Sequence, residues 1–165
     1  MRISLHRIPW GKAGILATVG KMRELSLAAC GDPEVIEWAA GIAGGGCCAR
    51  VVVDRLRVWL LRHTRFEPDP PGLEIVREPL YMLRRVGAQG YAEGDCDDVA
   101  TLGAAIGMVN YLPARFRLLF FDETCDTGHV YVELWTGSDW APLDTTAPAE
   151  FPPGLEVWSE DTVEV

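Results

Sequence analysis

Apolar residues recur with helical spacing in the N-terminal part of the chain. A helix is predicted from Lys21 to Cys30, with an apolar face formed by Met22, Leu25, Leu27 and Ala29. The preceding residues are predicted to be irregular because they include Pro9, Gly11 and Gly14. Asp32 and Pro33 provide an N-cap and a first helical residue, so a second helix is expected to begin there and to end at the glycines 44–46.

A third helix and a proline-rich segment follow. The helix is predicted from Cys48 to about His63 by one apolar stripe that contains Val51, Val52, Leu56, Trp59 and Leu60. The segment Glu67–Gly72 has three prolines, which fix φ and remove hydrogen-bond donors, so a surface loop is expected. Pro79 predicts the start of a short helix, and residues 87–94 are expected to form another loop.

The second half of the chain combines one helix with three strands. Asp95 is a favourable N-cap for a helix that extends to about Asn110. This helix is predicted to be central and buried, since one face carries the small residues Cys96, Val99, Ala100, Gly103 and Gly107. Strands are predicted over Ala114–Phe121, Gly128–Trp135 and Trp140–Leu143. This order predicts an α+β fold, with N-terminal helices followed by a central helix that packs on an antiparallel sheet.

Composition and charge restrict the class of protein. A chain of 165 residues with 48% hydrophobic and 24% charged residues is expected to form a single globular domain. The formal net charge of −9 argues against nucleic acid as a partner, because phosphate binding depends on Lys and Arg. No stretch is typical of a signal peptide or a membrane span, and five cysteines, an odd number, indicate free thiols in a reducing compartment such as the cytoplasm.

Cys96, His129 and Asp144 are candidates for a thiol-based catalytic triad. A nucleophilic cysteine needs an imidazole as its base and a third group that orients the imidazole. The helix start at Cys96 favours a thiolate by about 0.3–1 kcal/mol. The neighbouring carboxylates oppose it, so His129 is expected to provide most of the activation; these carboxylates belong to Asp95, Asp97 and Asp98.

The predicted hairpin places the base and its orienting group on one face. If Trp135 pairs with Trp140, then Tyr131 lies opposite Asp144, and His129 is the diagonal neighbour of Asp144 at roughly 7–8 Å. A shift of one residue would put the two side chains on opposite faces. Taken singly, a cysteine at a helix start is more often structural, and an aspartate before two threonines is equally a turn residue.

Four blocks of sequence resemble the transglutaminase-like cysteine superfamily. The blocks are Gly94–Asp98, Leu112–Phe116, Gly128–Glu133 and Trp140–Thr146, within a match over about residues 66–147. The Pro-Asp-Pro loop and the stretch Glu74–Pro79 are similar to variants encoded by bacteriophages and prophages. The resemblance divides the single domain into a helical part (about 1–65), a transglutaminase-like core (about 66–147) and a C-terminal extension (148–165).

The resemblance implies a papain-like fold in which Cys96, His129 and Asp144 form the triad. Two family positions differ, because Tyr131 stands where tryptophan is common and Thr145 where proline is common. Neither difference removes a catalytic group. The oxyanion would be bound by the Cys96 backbone N–H together with a second donor, for which the candidates are Gln89 and Tyr91.

Two further sites remain open. The acidic neighbours of Cys96 are similar to those of a calcium-dependent bacterial peptidase branch of the superfamily, which makes calcium a candidate ligand at Asp95 and Asp97. Cys125 is an alternative thiol, although it lies in a polar loop rather than at a helix start. No other cofactor is expected.

Two functions fit these observations. The first is an enzyme that cleaves amide bonds of a protein or peptide through an acyl-enzyme at Cys96, with hydrolysis favoured over crosslinking. The second is a non-catalytic binding or assembly module of a phage particle that keeps the fold. Under either, phage structural proteins are candidate partners and the chain would be cytoplasmic or virion-associated.

Overall fold

Most helices lie in the first two thirds of the chain and the last four elements are strands, which is an α+β order. The computed structural model describes residues 3–6, 11–45, 48–125, 128–146 and 155–165, with the first of these ranges described for its backbone alone. The helices are α1 (Lys12–Ala29), α2 (Pro33–Ala43), α3 (Ala49–His63), α4 (Pro79–Gln89) and α5 (Cys96–Val109). The strands are β1 (Ile3–His6), β2 (Thr64–Phe66), β3 (Glu74–Arg77), β4 (Ala92–Gly94), β5 (Ala114–Phe120), β6 (Gly128–Trp135), β7 (Trp140–Leu143) and β8 (Ser159–Glu164).

The main sheet has the strand order β7-β6-β5-β8, and every neighbouring pair is antiparallel. Trp135 pairs with Trp140 across the β6–β7 hairpin, as predicted, and the Thr136 N–H donates to the Asp139 carbonyl at 2.9 Å to close the turn. The β6–β7 ladder ends where Val132 pairs with Leu143. The predicted register of this hairpin is therefore confirmed.

Helix α5 is the buried centre of the molecule, as predicted. All residues from Asp97 to Gly107 are buried, and the helix lies against β6. A Cβ atom at Gly107 would come within 2.5 Å of Leu134, and one at Gly103 within 2.9 Å of Val132. These two glycines allow the helix backbone to approach the sheet closely, which fixes the position of the N-terminal end of the helix relative to β6.

Helix α1 is longer than predicted. It begins at Lys12 instead of Lys21 and includes the buried Gly14, so the predicted irregular start was wrong from Lys12 onward, whereas Gly11 precedes the helix and Pro9 lies outside the described residues. Packing explains the difference: Met22 is fully buried and the Ser26 hydroxyl donates to the Thr101 carbonyl of α5 at 3.1 Å. Tertiary contacts of this kind outweigh the low helix propensity of glycine. In consequence, α1 runs alongside the N-terminal half of α5.

The helices α2 and α3 follow their predictions closely. The Asp32 side chain accepts from the Glu34 N–H at 2.9 Å, and α2 ends at Gly44, whose φ of 58° is in the left-handed region. The predicted stripe of α3 was wrong at one position, because Val51 is 37% exposed and Val53 is fully buried in its place. No helix within the described ranges is long and apolar enough to cross a membrane.

Short strands account for the remaining differences. Residues 87–94 are not one loop, because α4 continues to Gln89 and β4 then pairs in parallel with β2. An antiparallel β1–β3 pair and the fourth strand of the main sheet, β8, were not predicted. The strand β4 ends at Gly94, one residue before the N-cap of α5, and thereby helps to position Cys96.

Candidate active site

Cys96 is the first residue of α5. Its neighbour Asp95 is the N-cap and forms a capping box with Asp98, whose carboxylate accepts from the Asp95 N–H at 3.4 Å. The Cys96 side chain is partly exposed at the surface end of an otherwise buried helix. A thiol in this position is near the backbone N–H groups of the first helical turn, which favour an anion.

His129 and Asp144 form a hydrogen bond between their side chains. The His129 Nε2 lies 3.0 Å from Asp144 Oδ2, and the other oxygen of this carboxylate accepts from the Thr146 N–H at 3.3 Å. His129 is only 3% exposed, and its ring is tilted against that of Tyr131 with 6.0 Å between centroids. The carboxylate therefore fixes the orientation of the imidazole. Because Nε2 is hydrogen-bonded to Asp144, Nδ1 is the ring nitrogen through which His129 would exchange a proton with another group.

Cys96 and His129 line the same cleft. The cleft has a volume of about 200 Å³, and its remaining described lining comes from α1, β3, the α5 start and β6: Ile15, Thr18, Val19, Met22, Glu74, Asp95, Asp97, Gly128 and Val130. The lining from α1 is mainly apolar, while the lining from β3 and the start of α5 carries carboxyl groups. The structure thus brings together the three residues of the predicted triad, two in the cleft and Asp144 behind His129.

Five carboxyl groups gather on the acidic side of the cleft, and we call them the acid cluster: Asp69, Glu74, Asp95, Asp97 and Asp98. Arg77 contacts this cluster. It forms a close ion pair with Asp98, lies 3.6 Å from Asp69, and its backbone N–H donates to Asp98 at 2.6 Å. Within the described ranges, the carboxyl groups of Glu74, Asp95 and Asp97 have no basic partner within 4.0 Å.

Asp97 is the least compensated member of the acid cluster. It is 4% exposed, and neither of its carboxylate oxygens receives a hydrogen bond from an N–H or hydroxyl donor among the described residues. The groups that it contacts are the carboxyls of Asp95 and Glu74. A buried carboxylate without a donor is costly, so this arrangement requires a proton or a cation.

The pKa values within the acid cluster reflect the same imbalance. Burial, with Asp95 as the next cause, raises the pKa of Asp69 to about 6 and that of Asp98 to about 7, although Arg77 opposes both shifts. Burial and the charges of Asp95 and Asp98 raise the pKa of Asp97 well above its ordinary value. Burial and Asp95 also raise the pKa of Glu74, against a hydrogen bond with Thr18.

A divalent cation would meet part of a coordination shell here. Asp95, Asp97 and Asp98 each present a carboxylate oxygen, and these atoms lie within 4.8 Å of one another. The uncompensated oxygens of Asp97 suit a hard cation, but Asp98 is already paired with Arg77. Calcium takes six to eight oxygen ligands. The residues present therefore fit calcium as a partial ligand set that solvent or a bound ligand would have to complete.

The two predicted oxyanion donors lie away from the described lining of the cleft. The Gln89 side chain donates to the Tyr91 carbonyl at 3.1 Å, and the Tyr91 ring stacks against the Arg65 guanidinium at 3.5 Å. Their assignment as oxyanion donors remains a prediction. The Cys96 N–H lies at the cleft because Cys96 is one of the residues that line it.

The other described cysteines are separate from the cleft. Cys30 follows α1 and its thiol is directed to the Ser26 carbonyl at 3.3 Å, while burial raises its pKa. Cys48 is exposed, and Cys125 has a left-handed φ of 56° in the loop after β5. Cys47 lies outside the described residues. None of the three described thiols is among the residues that line the cleft with His129.

Several site residues could not be identified from the sequence. Asp69 was predicted to lie in a surface loop, and its backbone does form a loop, but its side chain is 8% exposed and accepts from the Ile75 N–H. Glu74 and Arg77 lie on β3, a strand too short to be recognised by alternation. The one signal in the sequence is an excess of acids over residues 69–98, which does not distinguish Arg77 from Arg84 and Arg85 in the same stretch.

Comparison with solved structures identifies a similar fold in the crystal structure of a "Putative Cysteine Protease" from Cytophaga hutchinsonii. The TM-score is 0.57 at 16% sequence identity, and the superposition covers 88% of this chain and 53% of that one. The likeness is one of fold. This chain spans about half the length of the Cytophaga protein. No protein family model matches the chain, and no curated protein matches it.

Proposed function

We propose that the chain is a thiol-dependent hydrolase of amide bonds with a papain-like, transglutaminase-like fold. The observation that carries the proposal is the 3.0 Å hydrogen bond between His129 Nε2 and Asp144 Oδ2 beside a cleft that Cys96 also lines. A buried imidazole held by a carboxylate is the arrangement that activates a neighbouring thiol. The fold shared with the Cytophaga protein supports the same chemistry.

In this mechanism His129 moves a proton between the thiol and the leaving group. The Cys96 sulfur attacks the amide carbonyl while Nδ1 of His129 takes the thiol proton, so that an S–C bond forms and a tetrahedral oxyanion faces the start of α5. The C–N bond then breaks and the imidazolium gives the proton to the departing amine. Water attacks the thioester and gives one proton to His129; the S–C bond then breaks, the imidazolium returns that proton to the sulfur, and the carboxylic acid is released.

Asp144 holds the imidazole in the required tautomer throughout. Because Nε2 donates to this carboxylate, Nδ1 is directed away from Asp144 in the neutral imidazole. The imidazolium that forms when the thiol loses its proton is stabilised by the same carboxylate. Calcium, if it binds, would be held by Asp95 and Asp97 and would supply positive charge beside the thiol.

The exposure of Cys96 favours an enzyme over a non-catalytic module. A module that only kept the fold would have no need for a partly exposed thiol in the same cleft as a buried, carboxylate-bound histidine. The assignment of phage structural proteins as partners stays a prediction.

A peptide library tests the proposal. The full chain and its Cys96→Ala variant are incubated with peptides made by digesting a cell extract, in the presence and absence of an added primary amine. We expect new peptide termini that need Cys96, which indicate hydrolysis. Products that carry the amine would indicate transamidation instead, and the absence of any Cys96-dependent product would contradict the proposal.

A further inference from the structure

We propose that the cleft binds a basic side chain of the substrate, lysine or arginine, close to the scissile amide, with its cationic group at Glu74 and Asp97. This inference rests on the proposed function, because it names the substrate class of the same site. The acid cluster can be neutralised by a cation, and both a metal ion and a basic side chain would supply one. The geometry of the cleft points to an organic cation carried by the substrate.

Asp97 provides the first argument. It is 4% exposed and lines the cleft, yet neither carboxylate oxygen receives a hydrogen bond from an N–H or hydroxyl donor among the described residues. Its polar neighbours Asp95 and Glu74 are themselves acids and also line the cleft. A group of acids that lines a cleft and has no basic partner among the described residues is matched by an ammonium or guanidinium group, which has donors and no acceptors.

The apolar wall provides the second argument. Besides the acids, the cleft is lined by the apolar side chains of Ile15, Val19 and Met22 of α1. Lysine and arginine have a long aliphatic stem that packs on apolar surface while the charged end meets an anion. A bare metal ion would use the carboxylates and leave this wall without a partner. A volume of about 200 Å³ also suits one side chain, since pockets for larger ligands are about 300–1,000 Å³.

The position beside Cys96 gives such a cation a second effect. The carboxyl groups of Asp95 and Asp97 flank the nucleophile in sequence and oppose negative charge on its sulfur. A cationic group of the substrate at Glu74 and Asp97 offsets part of that charge when the substrate is bound. A basic substrate is therefore expected to raise kcat as well as to lower KM.

The first part of the experiment finds the preference. Peptides are prepared with a protease that cuts after glutamate, so that lysine and arginine remain inside them. They are then incubated in EDTA with the full chain or with its Cys96→Ala variant. We expect the Cys96-dependent cleavages to share lysine or arginine at one fixed position relative to the cut bond. Cleavages without such enrichment would overturn the inference and leave the proposed function intact, whereas no Cys96-dependent cleavage would overturn both.

The second part assigns the preference to the acid cluster. One cleaved peptide is compared with an analogue in which norleucine, an uncharged residue of similar shape, replaces the basic residue. We expect kcat/KM to fall by about tenfold or more in the wild type, as for loss of a charge-assisted hydrogen bond. In Glu74→Gln and in Asp97→Asn, the ratio of kcat/KM for the basic peptide to kcat/KM for the norleucine peptide should approach about one. The controls are Glu37→Gln and Asp54→Asn, which remove the same groups from exposed positions on α2 and α3. These controls should keep the wild-type ratio.

Two results would overturn the assignment. The first is a lysine preference that persists in both Glu74→Gln and Asp97→Asn, which would place the cation elsewhere. The second result concerns calcium chloride in place of EDTA. If activity then requires calcium and does not differ between the lysine and norleucine peptides, a metal ion fills the acid cluster. An unchanged preference with calcium supports the inference. Having two cluster variants on different elements keeps the test valid if one of them folds poorly.

Discussion

Two regions of this molecule bury carboxylates, and they differ in whether basic side chains compensate the buried charge. On the sheet, Glu133 is 5% exposed and lies between two arginines, with Arg115 at 2.6 Å and Arg117 at 3.6 Å. In the acid cluster, Asp97 is as deeply buried and has no basic partner among the described residues. The first region compensates its charge fully within the fold, and the second does not.

The difference separates what stabilises the fold from what serves the site. A buried charge that exists for structure is paired, because an unpaired one costs several kcal/mol. Functional sites typically contain charged groups that have no partner of opposite charge, have raised pKa values and lie beside a cleft and a nucleophile. We therefore expect substitutions of the sheet carboxylate to change stability and substitutions around the cleft to change activity or its pH dependence.

The largest effect is expected at Asp144, which follows β7 and holds His129 of the cleft by a hydrogen bond. Asp144→Asn removes the negative charge that fixes the tautomer of the imidazole and stabilises the imidazolium, so kcat should fall by up to about 10⁴-fold. Peptide hydrolysis measures this effect, with Asp139→Asn in the hairpin turn as the matched control. A loss of less than tenfold in Asp144→Asn would show that Asp144 does not orient the base.

The next largest effect is expected at Glu133. Glu133→Ala leaves Arg115 and Arg117 without their shared partner and should lower the free energy of unfolding by about 3 kcal/mol. Urea unfolding measures the change. The control is Glu160→Ala, which removes an exposed partner of Arg117 and should cost less than about 0.5 kcal/mol. Equal losses in the two variants would mean that the arginines do not compensate Glu133 as a buried charge.

A smaller effect with a defined pH dependence is expected at Asp69. Its pKa is about 6 in the folded chain and near 3.8 when exposed, so the folded state holds a proton that the unfolded chain releases between these values. Stability contributed by this proton is present at pH 4 and is lost as the pH rises through 6. Asp69→Asn should therefore match the wild type at pH 4 and exceed it by about 1 kcal/mol at pH 8.

Urea unfolding at the two pH values measures this difference. A gain of the same size at pH 4 would contradict the link to the titration of Asp69, and a loss of stability at pH 8 would show that the ion pair with Arg77 outweighs burial.

The parts of the fold that could be predicted from sequence are those with local or self-consistent signals. The capping residues Asp32 and Asp95 mark helix starts correctly. The alternation along β6 and the length of the turn determine the hairpin register, and this register brings His129 next to Asp144. The small residues of α5 predicted its burial, because a helix with such a stripe lets neighbouring elements pack close to its backbone.

The parts that sequence missed depend on distant partners. The strands β2, β3 and β4 have three or four residues each, and they are defined by pairing with remote segments rather than by their own pattern. The burial of Asp69 could not be predicted either, because a proline-rich polar segment is typical of solvent-exposed loops. Its side chain is buried because β3 brings Arg77 and the Ile75 N–H to it.

The most direct test of the central proposal is the reactivity of Cys96 compared with that of the other thiols. Iodoacetamide is added below pH 7 to the wild type and to His129→Ala, and peptide mapping measures the alkylation rate of each cysteine. We predict that Cys96 reacts fastest in the wild type and loses that advantage in His129→Ala, because the imidazole is what makes its thiolate available. Faster alkylation of Cys125 than of Cys96 in the wild type would contradict the assignment of Cys96 as the nucleophile.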